Sequence, residues 1–141
     1  MASCTSIPLV AEDASRNLHS WANRSKARVT HVELDLTPDF GRRSLSGTCT
    51  LTVAGEGPEL VLDARGLSIG RVEVDNGDGS GPAEFSLGDS NPILGSPLRI
   101  RRGTVDTVRI HYSTSPSASG LQWLEPRHTA GREQPFLYTQ W

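Results

Sequence analysis

Arg28-Val29-Thr30-His31-Val32-Glu33-Leu34-Asp35-Leu36-Thr37 changes character at nearly every step. Val32, Leu34 and Leu36 fall on one face, and His31, Glu33 and Asp35 on the other. A period of two is the pattern of a half-buried β-strand. Pro38-Asp39-Phe40-Gly41 supplies turn residues. Leu45 to Val53 then alternates again, with Leu45, Cys49, Leu51 and Val53 on one face and Ser46, Thr48, Thr50 and Thr52 on the other. Two alternating runs joined by a short turn predict a β-hairpin.

The same reading extends along the chain. Gly55-Glu56-Gly57-Pro58 breaks the pattern, and Leu60-Val61-Leu62 is a short continuous apolar run, as in a strand covered on both faces. Leu67 to Val74, Ala83 to Leu87, Leu98 to Arg101, Val105 to Thr114 and Phe136 to Gln140 complete the set of strand candidates. Asp75 to Pro82, rich in glycine and aspartate, reads as a loop, as does Gly88 to Pro97. No helical period of useful length appears. The expected fold is therefore all-β, with about eight strands, antiparallel or mixed, in two packed or strongly twisted layers forming a sandwich with little helix. Residues 1–25 lack a sustained period and are expected to form a flexible tail, with one helical turn near Glu12 to Leu18. Residues 26–141 are expected to form the β domain.

Composition agrees. A chain of 141 residues has the length of one domain and buries a core without disulfide or metal staples. Fourteen glycines, nine prolines and only 35% hydrophobic residues suit short strands and many turns. The net charge of -2 gives no basic stripe, so no nucleic acid partner is expected. Arg42-Arg43 and Arg99-Ile100-Arg101-Arg102 read as solvated turn and strand-end residues. No apolar run approaches a membrane span, and Met1 to Pro8 has no secretory pattern. Cys4 falls in the tail and Cys49 reads as a buried thiol, which suits a reducing compartment. A cytoplasmic location is the expectation.

The chain is poor in catalytic constellations. His19, His31, His111 and His128 have no second histidine at three or four residues' spacing, and there is no Cys-x-x-Cys, so the paired ligands of a zinc site are missing. No serine sits in a Gly-x-Ser-x-Gly turn. Asp75-Asn76-Gly77-Asp78-Gly79-Ser80-Gly81 lacks both the lysine of a phosphate loop and the closing glutamate of a calcium loop, and reads as a hairpin loop. Trp123, between Leu121 and Leu124, reads as an aromatic anchor in a loop at the sheet edge; the functional alternative is a stacking platform for a ligand.

Seven stretches, in order, carry a resemblance: His19-Ser20-Trp21-Ala22-Asn23; Val29 to Leu36 with Leu45-Ser46-Gly47-Thr48; Leu60-Val61-Leu62-Asp63-Ala64-Arg65-Gly66-Leu67; Pro92 to Leu98; Tyr112 to Pro116; Leu121-Gln122-Trp123-Leu124 with Thr129-Ala130-Gly131; and Pro135-Phe136-Leu137-Tyr138-Thr139-Gln140. Together they resemble the N-terminal β domain of zinc aminopeptidases of the leukotriene A(4) hydrolase and aminopeptidase B type. The resemblance implies a saddle-shaped β domain that docks on a thermolysin-like catalytic domain and walls the substrate cleft, with the parent removing N-terminal residues from peptides. Catalytic zinc in that family is held by His-Glu-x-x-His and a further Glu, and a Gly-x-Met-Glu-Asn segment binds the substrate's amino end. None of these motifs is in this chain, so it is expected to be no enzyme alone and to hold no zinc, the zinc belonging to the full-length parent. The family's Gln-x-Gln at the cleft rim is matched at its first position by Gln140, which the resemblance makes a substrate-binding residue. Trp141 stands where relatives carry a small residue, and Glu125-Pro126-Arg127-His128 replaces the usual Thr-Pro-Glu-Gln. The family domain is longer than this chain, so the domain is expected to be incomplete at its C-terminal end and to self-associate through an exposed edge. The alternative reading is a free-standing β-sandwich module for a protein or carbohydrate partner.

Overall fold

The computed structural model describes residues 19–140. Ten strands account for most of them: β1 (Arg28–Asp39), β2 (Ser44–Ala54), β3 (Glu59–Ala64), β4 (Leu67–Asp75), β5 (Ser80–Pro82), β6 (Phe85–Leu87), β7 (Ser96–Arg101), β8 (Thr107–Thr114), β9 (Leu121–Leu124) and β10 (Phe136–Thr139). A single 3-10 turn, Pro126–His128, is the only helical element among the described residues. Every strand pair is antiparallel, so the expected all-β sandwich stands and the mixed alternative does not. The strands form three sheets, ordered β1-β2-β8-β4-β5, β3-β7-β6 and β10-β9.

Two strands go beyond the sequence expectation. Asp75 to Pro82 is a tight hairpin rather than one loop: Asp75 Oδ1 accepts the Gly77 amide at 2.8 Å, Asn76 N donates to Gly79 O, and β5 pairs with the end of β4. Leu121–Leu124 pairs with β10, so Trp123 belongs to a strand and not to a loop. Both segments are too short to show a period.

The five-stranded and three-stranded sheets face each other. Leu51 and Val53 of β2, Val72 of β4 and Val108 and Ile110 of β8 meet Leu60 and Ala64 of β3 and Leu98 and Ile100 of β7. Register explains the selection. Leu51 lies opposite Val108 and Cys49 opposite Ile110, and Val72 sits on the far side of Ile110, so alternate residues line up across three strands. Gly47 permits the tight pairing of β1 with β2: a Cβ there would lie 2.0 Å from Asp35 O. Gly95, at φ +73°, lets the Asn91–Gly95 bend press on the end of β3, where a side chain would meet Ala64 O.

Arg102 overturns its expected role as a solvated strand-end residue. It is 2% exposed, and its guanidinium donates to Gly55 O and Val105 O. It thereby satisfies carbonyls where the β2–β3 and β7–β8 connections converge. Arg99 and Arg101 remain exposed, paired with Glu59 and Glu84.

Trp21 N donates to Asp63 Oδ1 at 2.7 Å and its Nε1 to Gly95 O at 3.3 Å, so the segment entering β1 is fastened to β3. Val61, turned away from the core, lines the cleft beneath that segment with Trp21 and Pro58. The predicted helical turn near Glu12 to Leu18 and Cys4 lie outside the described residues.

The three-stranded sheet is narrower than the sheet it covers. Val32 and Leu34, which share a face with Leu51 and Cys49, are therefore 51% and 50% exposed. The alternation that predicted a half-buried β1 is present, but its apolar row overhangs. Leu60→Ala is accordingly expected to lower the unfolding free energy by about 2–5 kcal/mol, whereas Leu34→Ala should cost less than about 1 kcal/mol. Urea unfolding of the two variants checks the contrast.

Candidate functional site

Two places on this frame gather polar groups or carry a residue expected to bind substrate. The first is the β9–β10 hairpin that carries Gln140. Trp123 lies opposite Leu137 and Leu121 opposite Thr139, and the backbone N of Gln140 donates to Gly120 O at 2.9 Å just beyond the last pair. Gln140 is exposed and fixed through its main chain at the hairpin's open end. The long connection between the strands closes on itself, because Thr129 Oγ1 lies 2.8 Å from both Pro126 O and Gln134 O.

The hairpin is attached to the tip of the β1–β2 hairpin by few contacts. The rings of Phe40 and Trp123 meet edge to face, with centroids 5.5 Å apart. Glu125 accepts from Arg43 at 3.1 Å and from Arg127 at 3.0 Å. The Glu125-Pro126-Arg127-His128 sequence thus has a structural use, since its carboxylate ties the connection to the neighbouring sheet. Trp123 Nε1 is buried without a hydrogen-bond partner. This ring is an anchor pressed on Phe40, not a free platform for stacking a ligand.

The second place is the outer face of the five-stranded sheet. Alternation there sets Glu33, Thr50, Arg109 and Glu73 in one cross-strand row, and Asp35, Thr48, His111 and Arg71 in the next. A shallow bed of about 310 Å³ is lined by Glu33, Asp35, Thr48, Thr50, Arg109 and His111. His111 Nε2 lies 2.7 Å from Glu73 Oε2, and Arg71 Nε lies 3.8 Å from Glu73 Oε1. The hydrogen bond to His111 holds the Glu73 carboxyl below its ordinary value, aided by the charges of Arg71, His111 and Arg109 and opposed by partial desolvation.

A histidine held by a carboxylate is two-thirds of a nucleophilic triad, and the described thiol does not complete it. Cys49, the one described thiol, lies opposite Ile110 and therefore on the other side of the sheet from His111. Burial pushes its thiol pKa up, the wrong direction for a nucleophile. Tyr112, on the same side as Cys49, is likewise pushed up, by burial and then by Cys49. His31 and His128 stand on the β1 edge strand and in the 3-10 turn, well apart in the fold. Among the described residues, no three His, Cys, Asp or Glu side chains gather closely enough to hold a metal ion. Sequence reasoning named Gln140 and missed the His111–Glu73 pair. Its signal was weak: two polar residues 38 positions apart that only the β4–β8 register brings together.

Two measurements follow. Phe40→Ala is expected to speed amide exchange in β9 and β10 by about tenfold, given the worth of an edge-to-face pair plus its buried area, and to leave β8 unchanged. For Glu73, a depressed folded-state pKa means stabilisation that is present above the ordinary value of 4.5 and is lost as pH falls through the folded value. Glu73→Gln should therefore flatten the acid limb of the urea midpoint plotted against pH, with the difference from the parent vanishing at the acid end.

Comparison with known proteins supplies the remaining evidence. No model of a known protein family matches the chain. It is 37% identical over 131 residues to leucine aminopeptidase 2 from Yarrowia lipolytica and 35% identical over 130 residues to leukotriene A-4 hydrolase from Xenopus laevis. These matches cover 89% and 86% of this chain but only 20% and 21% of the relatives, so the chain spans about a fifth of their length. Yeast leukotriene A4 hydrolase in complex with bestatin superimposes with a TM-score of 0.77 at 25% identity, over 92% of this chain and 21% of that one. The native Saccharomyces cerevisiae enzyme gives 0.76 at 26% identity.

Proposed function

Because this chain is homologous to the N-terminal domain of leukotriene A-4 hydrolase-like aminopeptidases, we propose that it serves as the non-catalytic β domain of such a peptidase, walling the cleft in which peptides lose their N-terminal residues. The observation that carries this reading is the match along about nine-tenths of the chain, in sequence and in fold, to one fifth of much longer aminopeptidases and hydrolases. Water activation by zinc then falls to a catalytic region that docks against this domain. The absence of His-Glu-x-x-His from the 141 residues supports that division of labour.

Within this role Gln140 is the substrate-facing residue. Its carboxamide offers both a donor and an acceptor to a peptide end. The Gly120–Gln140 hydrogen bond and the β9–β10 ladder limit how far the backbone beneath it moves. The Phe40–Trp123 contact then sets the attitude of the rim against the main sandwich. The small number of cysteines suits a cytoplasmic setting.

The test uses the chain and a relative's catalytic region. The purified chain should release no product from aminoacyl 4-nitroanilides, with or without zinc. It should also form a stoichiometric complex, on size exclusion with light scattering, with Yarrowia lipolytica leucine aminopeptidase 2 expressed without its own N-terminal fifth. Turnover by the chain alone overturns the non-catalytic role, and failure to form the complex overturns the cleft-wall role.

A further inference from the structure

The β4–β5 turn is closed by contacts among its own residues. Asp75 Oδ1 accepts the Gly77 amide at 2.8 Å, Asn76 N donates to Gly79 O at 3.3 Å, and Asp75 pairs with Ser80. The turn sets an electrophile beside a nucleophile. The carboxamide carbon of Asn76 is one residue away from the main-chain nitrogen of Gly77, the separation that closes a small cyclic imide. Both residues are exposed, and no hydrogen bond holds the Asn76 carboxamide among the described residues. Gly77 has no side chain to obstruct the approach, and nothing lies within 4 Å of where a Cβ would stand.

The other asparagines lack this combination. Asn91 is followed by Pro92, whose nitrogen has no hydrogen to lose. Asn91 Oδ1 is also occupied, by the amides of Ile93 at 2.8 Å and Leu94 at 3.1 Å. Asn23 Oδ1 accepts the Ser25 hydroxyl at 2.6 Å, and the bulky Arg24 follows it. Asn17, before Leu18, lies outside the described residues.

We propose that Asn76 is a site of spontaneous covalent modification, restrained by Asp75, at which the chain converts to aspartyl and isoaspartyl forms, and that the isoaspartyl form releases β5 from β4. Solvent base takes the Gly77 amide proton, and the nitrogen attacks Asn76 Cγ. A bond forms between them, the side-chain Cγ–Nδ2 bond breaks, and ammonia leaves with a proton from water. Water then opens the imide at either carbonyl. One product is aspartate; in the other the backbone runs through the side-chain carbons. The sum is a hydrolysis, with no change of oxidation state. Asp75 restrains the first step, because a carboxylate that accepts the Gly77 N–H favours the protonated amide and repels the anion its loss would leave. Hairpin register follows loop length. An added backbone carbon therefore disrupts the Asn76–Gly79 hydrogen bond and the Asp75–Ser80 pairing. The new carboxylate also joins Glu73, Asp75 and Asp78 in one short acidic stretch.

The experiment incubates the full chain at neutral and at mildly alkaline pH, followed by intact mass and peptide mapping. A gain of one mass unit should appear in the peptide carrying Asn76, faster at the higher pH. Isomerisation at Asp78–Gly79 changes no mass and does not mimic it. Asp75→Ala should speed the gain about tenfold, the low end of what a hydrogen bond to a charged group is worth. Gly77→Ala strains the turn, which holds φ at +83°, yet should slow the gain because its methyl crowds the attack; a site governed by looseness of the turn alone would speed up. The isoaspartyl form, separated by chromatography, should exchange its Ser80 and Gly81 amides faster than the parent, with β8 unchanged. No gain at Asn76, an equal gain at another asparagine, no acceleration in Asp75→Ala, acceleration in Gly77→Ala, or undiminished β5 protection in the isoaspartyl form would each overturn the proposal.

Discussion

The structure rests on the contact between two sheets of unequal width. Leu60, Ile100, Val53, Val72 and Val108 are the largest side chains lost wholly from solvent, and they come from β3 and β7 on one side and β2, β4 and β8 on the other. At about 25 cal/mol per Å² of apolar area, this small group supplies the main cohesive term. Its limits also explain the periphery. Where the narrower sheet ends, β1 overhangs with its apolar row half exposed. Where the sandwich ends, the Phe40–Trp123 ring pair and the Arg43–Glu125 ion pair fasten the β9–β10 hairpin. Arg102 belongs to the same economy. A guanidinium with three polar nitrogens is costly to bury, and it is tolerated because two connection carbonyls would otherwise be left without donors.

Much of this was legible in the chain because period-two alternation encodes faces directly. The β1–β2 hairpin, β4 and β8 follow from it, with the correct residues pointing inward in β2 and β8. What alternation does not encode is whether a face finds a partner. Val32 and Leu34 have the spacing of core residues and lie outside the core, since coverage is decided by a sheet formed from residues 59–101. Ser-Gly-Pro in β5 and Leu-Gln-Trp-Leu in β9 are too short to carry a period, and their pairing is set by the turns around them. Arg102 was misread for a related reason: its burial depends on carbonyls at positions 55 and 105, and no local pattern announces them.

The β9–β10 hairpin and the polar face illustrate two kinds of legibility. Gln140 was named because its surrounding stretch resembles a family segment, and the structure adds a main-chain anchor at Gly120. The His111–Glu73 pair had no such advertisement. Side-chain geometry also narrows what the polar face does. With Cys49 on the other side of the sheet, the imidazole has a carboxylate to orient it and no thiol to activate, so its visible consequence is a depressed Glu73 pKa and a pH-sensitive tie between β4 and β8.

The central position of β8 has a consequence for how the chain is made. β2 and β4 do not pair with each other; each pairs with β8, which comes after both in sequence. During synthesis the first hairpin can close early. The five-stranded sheet, however, has to wait for residues 107–114, and Val72 and Leu51 lack their partners on β8, Ile110 and Val108, until then. Non-local pairing of this kind folds slowly. A nascent chain halted anywhere before Thr107 would present two half-sheets lacking their keystone, a natural substrate for chaperones.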